Sequence, residues 1–526
     1  MSKHSSGPHR DQHRDPHFPA VHLRPPRHWV NDPNGLAFHD GHYHVYFQYN
    51  PHSARHDAMH WGHFRSRDLL RWELLPPALA PTPGGEDAEG VWSGNAVSHG
   101  GRLTAFYSAK RPDRWYQPVA AATSEDGGRT FTKRPGLLIP EPPEGLTLFR
   151  DPYVWREEDR WRMLVGAGLA DGRGAAVHYA SAGPEDLEHW EYRGVFLARA
   201  PQSLPGGGDT EEGWECAQYA PAGDGRGTLV ISAWDPEEGA RCAVAWPGRE
   251  EGGAFAAGEP QRLDHGPDFY APALLPAPDG RTLLWAWIWE ARDEERVGAP
   301  SAWTDEAGWA GMLSLPRELS LGADGRVRQR PARELTALRG PRRISAAGQG
   351  PAALGRIAPA ADLEVTLSGD AGMRLAGSAD GREYLELRRD PDSGEVVADR
   401  DRASLDPRAK GGAWRLPAGD GDGATARLRI LLDHSVAEIF TEDGRALTLR
   451  CYPVGGAAWS AHATGGAAWA VDAWDLDPPP VADLRPSPEI PAPRADTHRP
   501  RPATGRAGEP HSAAAPGRAP AAGEQP

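Results

Sequence analysis

Short apolar runs separated by polar or glycine-containing turns recur through the first 320 residues. Asp40-Gly41 precedes HYHVYF, Gly100-Gly101 precedes RLTAFYS and Glu158-Asp159 precedes RWRMLVGAG. Asp224-Gly225 precedes RGTLVISAW, and Asp279-Gly280 precedes RTLLWAWIW. These runs carry strand composition and no helical period. Upstream of each turn a polar signature enters a strand, at Asp32, Ser93, Asp151, Glu215 and Asp268, with separations of 61, 58, 64 and 53 residues. A third feature keeps the same phase: Asp68, Asp126 and Asp186, each in a polar turn, lie 58 and 60 residues apart. Such a period, built from short strands, predicts one four-stranded sheet per repeat. Five sheets predict a five-bladed β-propeller whose first strands line a central channel.

Beyond Leu319 the composition turns to Ala, Gly and Arg and the repeat stops. Alternating segments then appear, among them Leu363 to Leu367, Tyr384 to Leu387, Ala426 to Ile430 and Val436 to Phe440, with turn signals at Asp380-Gly381, Ser393-Gly394 and Asp443-Gly444. Period-2 strands at this spacing predict a β-sandwich. The chain therefore reads as all-β: a tail over 1–20, a propeller over 21–325, a linker over 326–349, a sandwich over 350–477 and a tail over 478–526. The last segment holds 13 prolines and no aromatic residue, too little apolar surface to fold. Four histidines at irregular spacing within 1–20 read as a solvated tail rather than a metal site.

Composition narrows the chemistry. A net charge of -15 disfavours nucleic acid and anionic membrane as partners, since both call for basic surface. No apolar stretch approaches the ~20 residues of a membrane span, and no signal-like run opens the chain. A cytoplasmic protein is expected. The three cysteines, Cys216, Cys242 and Cys451, show no CxxC spacing and predict neither a disulfide framework nor a zinc site.

On the propeller reading Asp32, Asp151 and Glu215 enter equivalent inner strands of blades 1, 3 and 4 and converge on one funnel. Carboxylates held close together cannot all stay ionised, so one pKa rises and that group becomes a proton donor. Glycoside hydrolysis uses this division between an ionised carboxylate and a protonated acid. The 20 tryptophans suit a sugar, whose rings pack on aromatic faces.

HWVNDPNGLAFHDGHYHVYFQYNP resembles the signature of glycoside hydrolase family 32, the invertases, levanases and inulinases. The resemblance continues through Trp61-Gly62-His63, Trp92 to Val97, Phe149-Arg150-Asp151-Pro152, Trp214-Glu215-Cys216, Asp268 to Pro272 and Gly308 to Leu319. Asp433 to Phe440 and Arg450 to Pro453 resemble the family's C-terminal sandwich, so roughly 21 to 477 is covered. It implies a retaining β-fructofuranosidase, acting without metal or cofactor, that releases terminal β-D-fructose from sucrose or short fructans. Asp32 would be the nucleophile, Glu215 the acid/base, and Asp151, beside Arg150, the residue that holds the fructosyl hydroxyls and stabilises the transition state. Asn31, Gln48, Ser93 and Trp287 would line the fructose pocket. Trp61, Trp92 and Tyr270 come from the same motifs, and Cys216 would help tune the acid/base.

The chain departs from the family pattern at His56-Asp57, where many relatives carry Trp-Gly, and at Trp92, Asn95 and the Ala-Gln after Cys216. These positions bear on leaving-group specificity. Sucrose 6-phosphate hydrolysis and fructosyl transfer use the same scaffold and intermediate. A non-catalytic sugar-binding propeller would have lost a carboxylate, and none is missing. An inverting five-bladed hydrolase would separate its carboxylates by ~6.5–9.5 Å, against ~5–5.5 Å for a retaining pair.

Overall fold

A computed structural model of the chain describes residues 15–157, 160–223, 225–292, 301–418, 425–455 and 459–484. The turn residues Glu158, Asp159 and Asp224 lie outside the described residues, as do 1–14 and 485–526.

Five antiparallel sheets form the blades of a propeller. Their innermost strands are His28–His39, Gly90–His99, Leu146–Glu157, Gly213–Gly223 and Phe269–Pro276. Each innermost strand packs beside the next, and the fifth returns beside the first, which closes the ring. Trp309–Ala310 also pairs in parallel with His28-Trp29 at the seam between the first and last blades. The phased aspartates explain themselves here. Asp68 Oδ1 accepts the Leu70 and Arg71 N–H groups at 2.9 and 2.8 Å. Asp126 takes those of Arg129 and Thr130, and Asp186 those of Glu188 and His189. An aspartate-capped turn of this kind, one residue longer in blade 2, follows the third strand of blades 1 to 3.

Tryptophans fill the wedges between blades: Trp61, Trp214, Trp246 and Trp285 are fully buried. Behind the propeller, two six-stranded sheets stack as a β-sandwich. Leu363, Val365, Leu367, Leu428 and Ile430 of one sheet meet Met373, Leu375, Leu385 and Leu387 of the other in one apolar core.

The segment 326–349 is not a linker. Val327–Pro331 is the outermost strand of blade 5, Arg333–Leu338 is a 3₁₀ turn, and Arg339–Gln349 is an edge strand of the sandwich. Its Ala/Gly/Arg composition masked strands that each bury only part of one face. The tails are also shorter than expected. His17 is buried, with its carbonyl accepting from Ser435 Oγ at 2.7 Å. Ala482–Asp483 adds a parallel strand to the outer edge of blade 1. The first segment is secured by Phe18 against Trp309 and by Asp433, which accepts the Ala20 and Val21 N–H groups at 2.8 Å; the last is secured by backbone pairing.

Candidate active site

Every innermost strand carries one extra residue at the same level. Val30 to Pro33, Val91 to Gly94, Arg150 to Tyr153, Glu215 to Gln218 and Tyr270 to Ala273 each span three residues opposite two of the neighbouring strand. A bulge bends the strand and re-aims its side chains. Five of them at one level turn five strands toward one axis. The Asn-Asp-Pro-Asn-Gly string is therefore strand, not surface turn. Gly35, at φ +51°, closes its second irregularity, and a Cβ there would meet the Trp61 ring at 2.6 Å.

The bulges also correct the repeat phase. Val30, Val91, Arg150, Glu215 and Tyr270 are structural equivalents, so Asp151 stands one position and Asp32 two positions beyond the Glu215 level. Asp268 precedes its bulge altogether. Its carboxylate accepts the Arg450 N–H at 2.7 Å and pairs with Arg400 of the sandwich. Asp151, Cys216 and Ala271, equivalent residues of blades 3 to 5, all adopt left-handed φ, at 65°, 48° and 48°. Strained backbone of this kind persists where the surroundings over-determine it.

The three carboxylates arrive together with different partners. Ser93 Oγ donates to Asp32 Oδ2 at 2.6 Å and Asn31 Nδ2 to Asp32 Oδ1 at 3.1 Å. Trp29 Nε1 holds the Asn31 amide in turn, at 2.7 Å. The Cys216 N–H donates to Asp151 Oδ2 at 3.1 Å, and Ser108 Oγ accepts the Asp151 N–H at 2.7 Å. Cys216 Sγ stands 3.9 Å from Asp32 Oδ2 and 3.7 Å from Asp151 Oδ2, linking the two aspartates. Glu215 is held on both oxygens, by Arg150 Nη2 at 3.0 Å and by the Tyr270 hydroxyl, which donates at 2.7 Å.

Burial pushes the Asp32 carboxyl up to about 6; the Ser93 hydrogen bond opposes this and the Glu215 charge adds to it. Burial and the Glu215 charge raise Asp151 to about 7 against the pull of Arg150. Glu215, by contrast, has the Arg150 guanidinium and the Tyr270 hydroxyl beside it. Burial and the three carboxylates hold the Cys216 thiol far above its ordinary value, so it sits here as a neutral, polarisable spacer.

The remaining candidates divide. Tyr270, Trp287, Trp289 and Trp29 form an aromatic cluster with Cys216 beneath the carboxylates. Trp92 is partly exposed and meets His56 edge-on at 5.5 Å. Gln48 is buried and ties blade 1 to blade 2 through the Val91 carbonyl, at 3.0 Å. Trp61 does not line the funnel: it is fully buried between blades 1 and 2, and its Nε1 supports the Trp92 carbonyl at 3.2 Å. Sequence reasoning passed over Ser108, Trp29, Lys110 and Trp234, whose ring lies 5.0 Å from the Arg150 guanidinium. Ser108 and Trp234 end the runs RLTAFYS and RGTLVISAW, which signal only strand, and Lys110 lies just beyond the first; Trp29 opens a motif whose signal is Asp32.

The model of the glycosyl hydrolases family 32 N-terminal domain matches residues 22–331, and that of the family 32 C-terminal domain matches 334–475. The chain belongs to glycoside hydrolase family 32. It is 34% identical to a raffinose invertase of Escherichia coli, over 83% of this chain and 90% of that one. A sucrose-6-phosphate hydrolase of Zymomonas mobilis is 33% identical over 81% and 84%. Among solved structures, the family 32 β-fructofuranosidase of Bombyx mori superposes with a TM-score of 0.74 at 25% identity, covering 89% of this chain and 95% of that one. The five-bladed propeller with its trailing sandwich is the family 32 architecture. Among the described residues no helix is long and apolar enough to cross a membrane.

Proposed function

We propose that this family 32 enzyme is a retaining β-fructofuranosidase that releases terminal non-reducing β-D-fructose from sucrose or short fructans. The observation that carries the reading is the set of three carboxylates on bulged inner strands, each with different hydrogen-bond partners. Asp32, aligned by Ser93 and Asn31, attacks C2 of the fructosyl unit. Glu215 gives a proton to the leaving oxygen, so the glycosidic bond breaks as the bond from C2 to the Asp32 oxygen forms. In the second step Glu215 takes a proton from water, whose oxygen displaces Asp32 and regenerates both groups. Asp151 accepts hydrogen bonds from fructosyl hydroxyls that strengthen as positive charge grows on the ring. Neither step calls for a metal or cofactor.

The invertase relative from E. coli supports sucrose-type substrates, and the Zymomonas relative supports a phosphorylated one. Cytoplasmic residence is favoured by Cys216, Cys242 and Cys451, all buried and all free, as a reducing compartment keeps them.

The test is fructose release from sucrose and from inulin. Asp32→Ala should lower kcat by about 10⁴-fold or more, as loss of a nucleophile does. The wild type should lose kcat/KM below about pH 6, where the Asp32 carboxylate takes up its proton. Proton NMR of the first product should show β-fructofuranose before mutarotation. Inverted product, or an active Asp32→Ala enzyme, would sink the double displacement.

A further inference from the structure

A glycine behind the nucleophile strand is gripped on both of its peptide groups. Gly311 follows Trp309–Ala310, the short strand that pairs in parallel with His28-Trp29. Its φ is +71°, and a Cβ there would collide with the Val30 carbonyl oxygen and stand 2.7 Å from Trp287 Nε1. Val30 opens the bulge that carries Asp32, and Trp287 meets Trp29 edge-on at 5.7 Å. The main chain at Gly311 backs directly onto the bulged stretch of the nucleophile strand.

Two buried charges hold it there. Glu290 Oε1 accepts the Gly311 N–H at 2.8 Å, and Arg24 Nη1 donates to the Gly311 carbonyl at 2.7 Å. Arg24 Nε and Nη2 donate to the carbonyls of Pro25 and His28, at 2.8 and 3.1 Å. Charges buried in this way bring little net stability over apolar side chains of similar volume; what these two fix is backbone position. The clip is itself anchored in the second domain. Glu290 Oε2 takes Arg292 Nε at 2.8 Å and the Tyr452 hydroxyl at 2.6 Å, and Oε1 takes Arg450 Nη1 at 3.2 Å. Arg450 and Tyr452 belong to the sandwich. On the other side of Gly311, Trp29 Nε1 holds the Asn31 amide, which donates to Asp32 Oδ1. Packed and hydrogen-bonded groups therefore connect the sandwich to the nucleophile without a break.

We infer that Glu290 and Arg24 are positioning residues for Asp32, and that the sandwich, through Tyr452 and Arg450, contributes to the rate of the chemical steps as well as to stability. The inference rests on the reading of Asp32 as nucleophile. Misplacing a reacting group by about 1 Å costs up to about 100-fold in rate, so the effect falls on kcat and leaves KM nearly alone.

The experiment sets two hydroxyl deletions at the same domain junction against each other. Tyr452→Phe removes a hydroxyl that donates to Glu290 and accepts the Ala291 N–H. Thr448→Val removes one that donates to Asp264 and accepts from Arg317, in a network that does not touch Gly311. Glu290→Gln, which keeps the shape of the clip, is the third variant. All are measured on sucrose after thermal melts show them folded, and amide hydrogen exchange over 28–35 is read by mass spectrometry. Tyr452→Phe should lower kcat about 3- to 10-fold and Glu290→Gln about 10- to 100-fold, with KM within about twofold of wild type. Both should speed exchange over 28–35. Thr448→Val should melt earlier, as Tyr452→Phe does, yet keep wild-type kcat and exchange. If Glu290→Gln does not fold, the two hydroxyl deletions decide alone. Wild-type kcat in Tyr452→Phe, or equal kcat losses in Tyr452→Phe and Thr448→Val, would reduce the clip to a structural brace and overturn the inference. Wild type inactive on sucrose and on inulin would instead overturn the fructosidase reading, and the exchange comparison would still decide whether the clip holds the strand.

Discussion

Asp151 shows how this site trades stability for function. Its carboxyl is 5% exposed, on a left-handed residue between a backbone donor and two other carboxylates. Its pKa is raised from 3.8 to about 7. The folded protein therefore holds a proton that the unfolded chain gives up, and stability falls as pH rises from about 4 to 7. Asp151→Asn copies the neutral carboxyl. At pH 8 it should stabilise the protein by about 1–3 kcal/mol while removing most of the fructose release. Thermal melts at pH 8 and pH 5 check the sign: the gain should shrink at pH 5, where the wild-type carboxyl already carries its proton. A variant no more stable at pH 8 would show that burial and the Glu215 charge do not raise the Asp151 carboxyl.

At the scale of the element, the working part is the bulged strand. The string Asn31 to Gly35 would make a turn in isolation, yet it is held extended between the second strand of blade 1 and the aromatic wedge behind it. Gly35 makes this possible, because any Cβ would collide with the Trp61 and Tyr46 rings at 2.6 and 2.8 Å. Gly35→Ala combines left-handed strain with overpacking and should cost about 2–4 kcal/mol, read from the urea midpoint. Since Asp32 lies three residues upstream, kcat should fall with the stability. A Gly35→Ala enzyme of unchanged midpoint would mean that the wedge yields cheaply. The repeated aspartate turns at the other end of blades 1 to 3 carry no such demand, and their aspartates serve only the turn they sit in, through its backbone N–H groups and side chains such as Arg71, Thr130 and His189.

For the whole molecule, the junction between propeller and sandwich combines apolar clusters, such as Leu315 with Leu431 and Phe440, with a buried polar network. Arg317, fully buried on blade 5, donates to Glu438 of the sandwich at 2.8 Å and to Asp264 at 2.9 Å. Burial alone would raise the Glu438 carboxyl, but Arg317 and His22 hold it down to about 2. Glu290 is likewise held at about 2 against its burial, by Arg292 at 2.8 Å, then by Arg450 at 3.2 Å and the Tyr452 hydroxyl at 2.6 Å. Depressed carboxyls of this kind stabilise the fold above about pH 4.5, and that contribution fades as pH falls toward 2. Arg317→Met strands two buried carboxylates and should cost about 3–5 kcal/mol, seen as a lower urea midpoint at pH 7. The deficit should narrow at pH 3, as the stranded carboxyls protonate. An unchanged midpoint would mean that the sandwich is secured by its apolar contacts alone.

Much of this protein was legible in one dimension. The period near 60 residues, the strand composition and the change after Leu319 determine five sheets and a sandwich, because apolar patterning must be buried somewhere and short strands bury it as sheets. The same reading brought Asp32, Asp151 and Glu215 to one funnel, since equivalent strands of a closed ring share an axis. It misplaced Asp268, which shares the phase but precedes the bulge. It took Trp61 for a lining residue, although its ring points between blades. It also took the Gly- and Arg-rich stretch after Arg326 for a linker. These are matters of where a side chain points and which backbone pairs with which. A single inserted residue per strand sets the first, and contacts between residues hundreds of positions apart set the second. Ser108 and Trp234 end runs that signal only strand, and Lys110 lies in none of them. Only the closed ring brings the second strands of blades 2 and 4 beside the carboxylates of their neighbours and gives those three residues their place at the site.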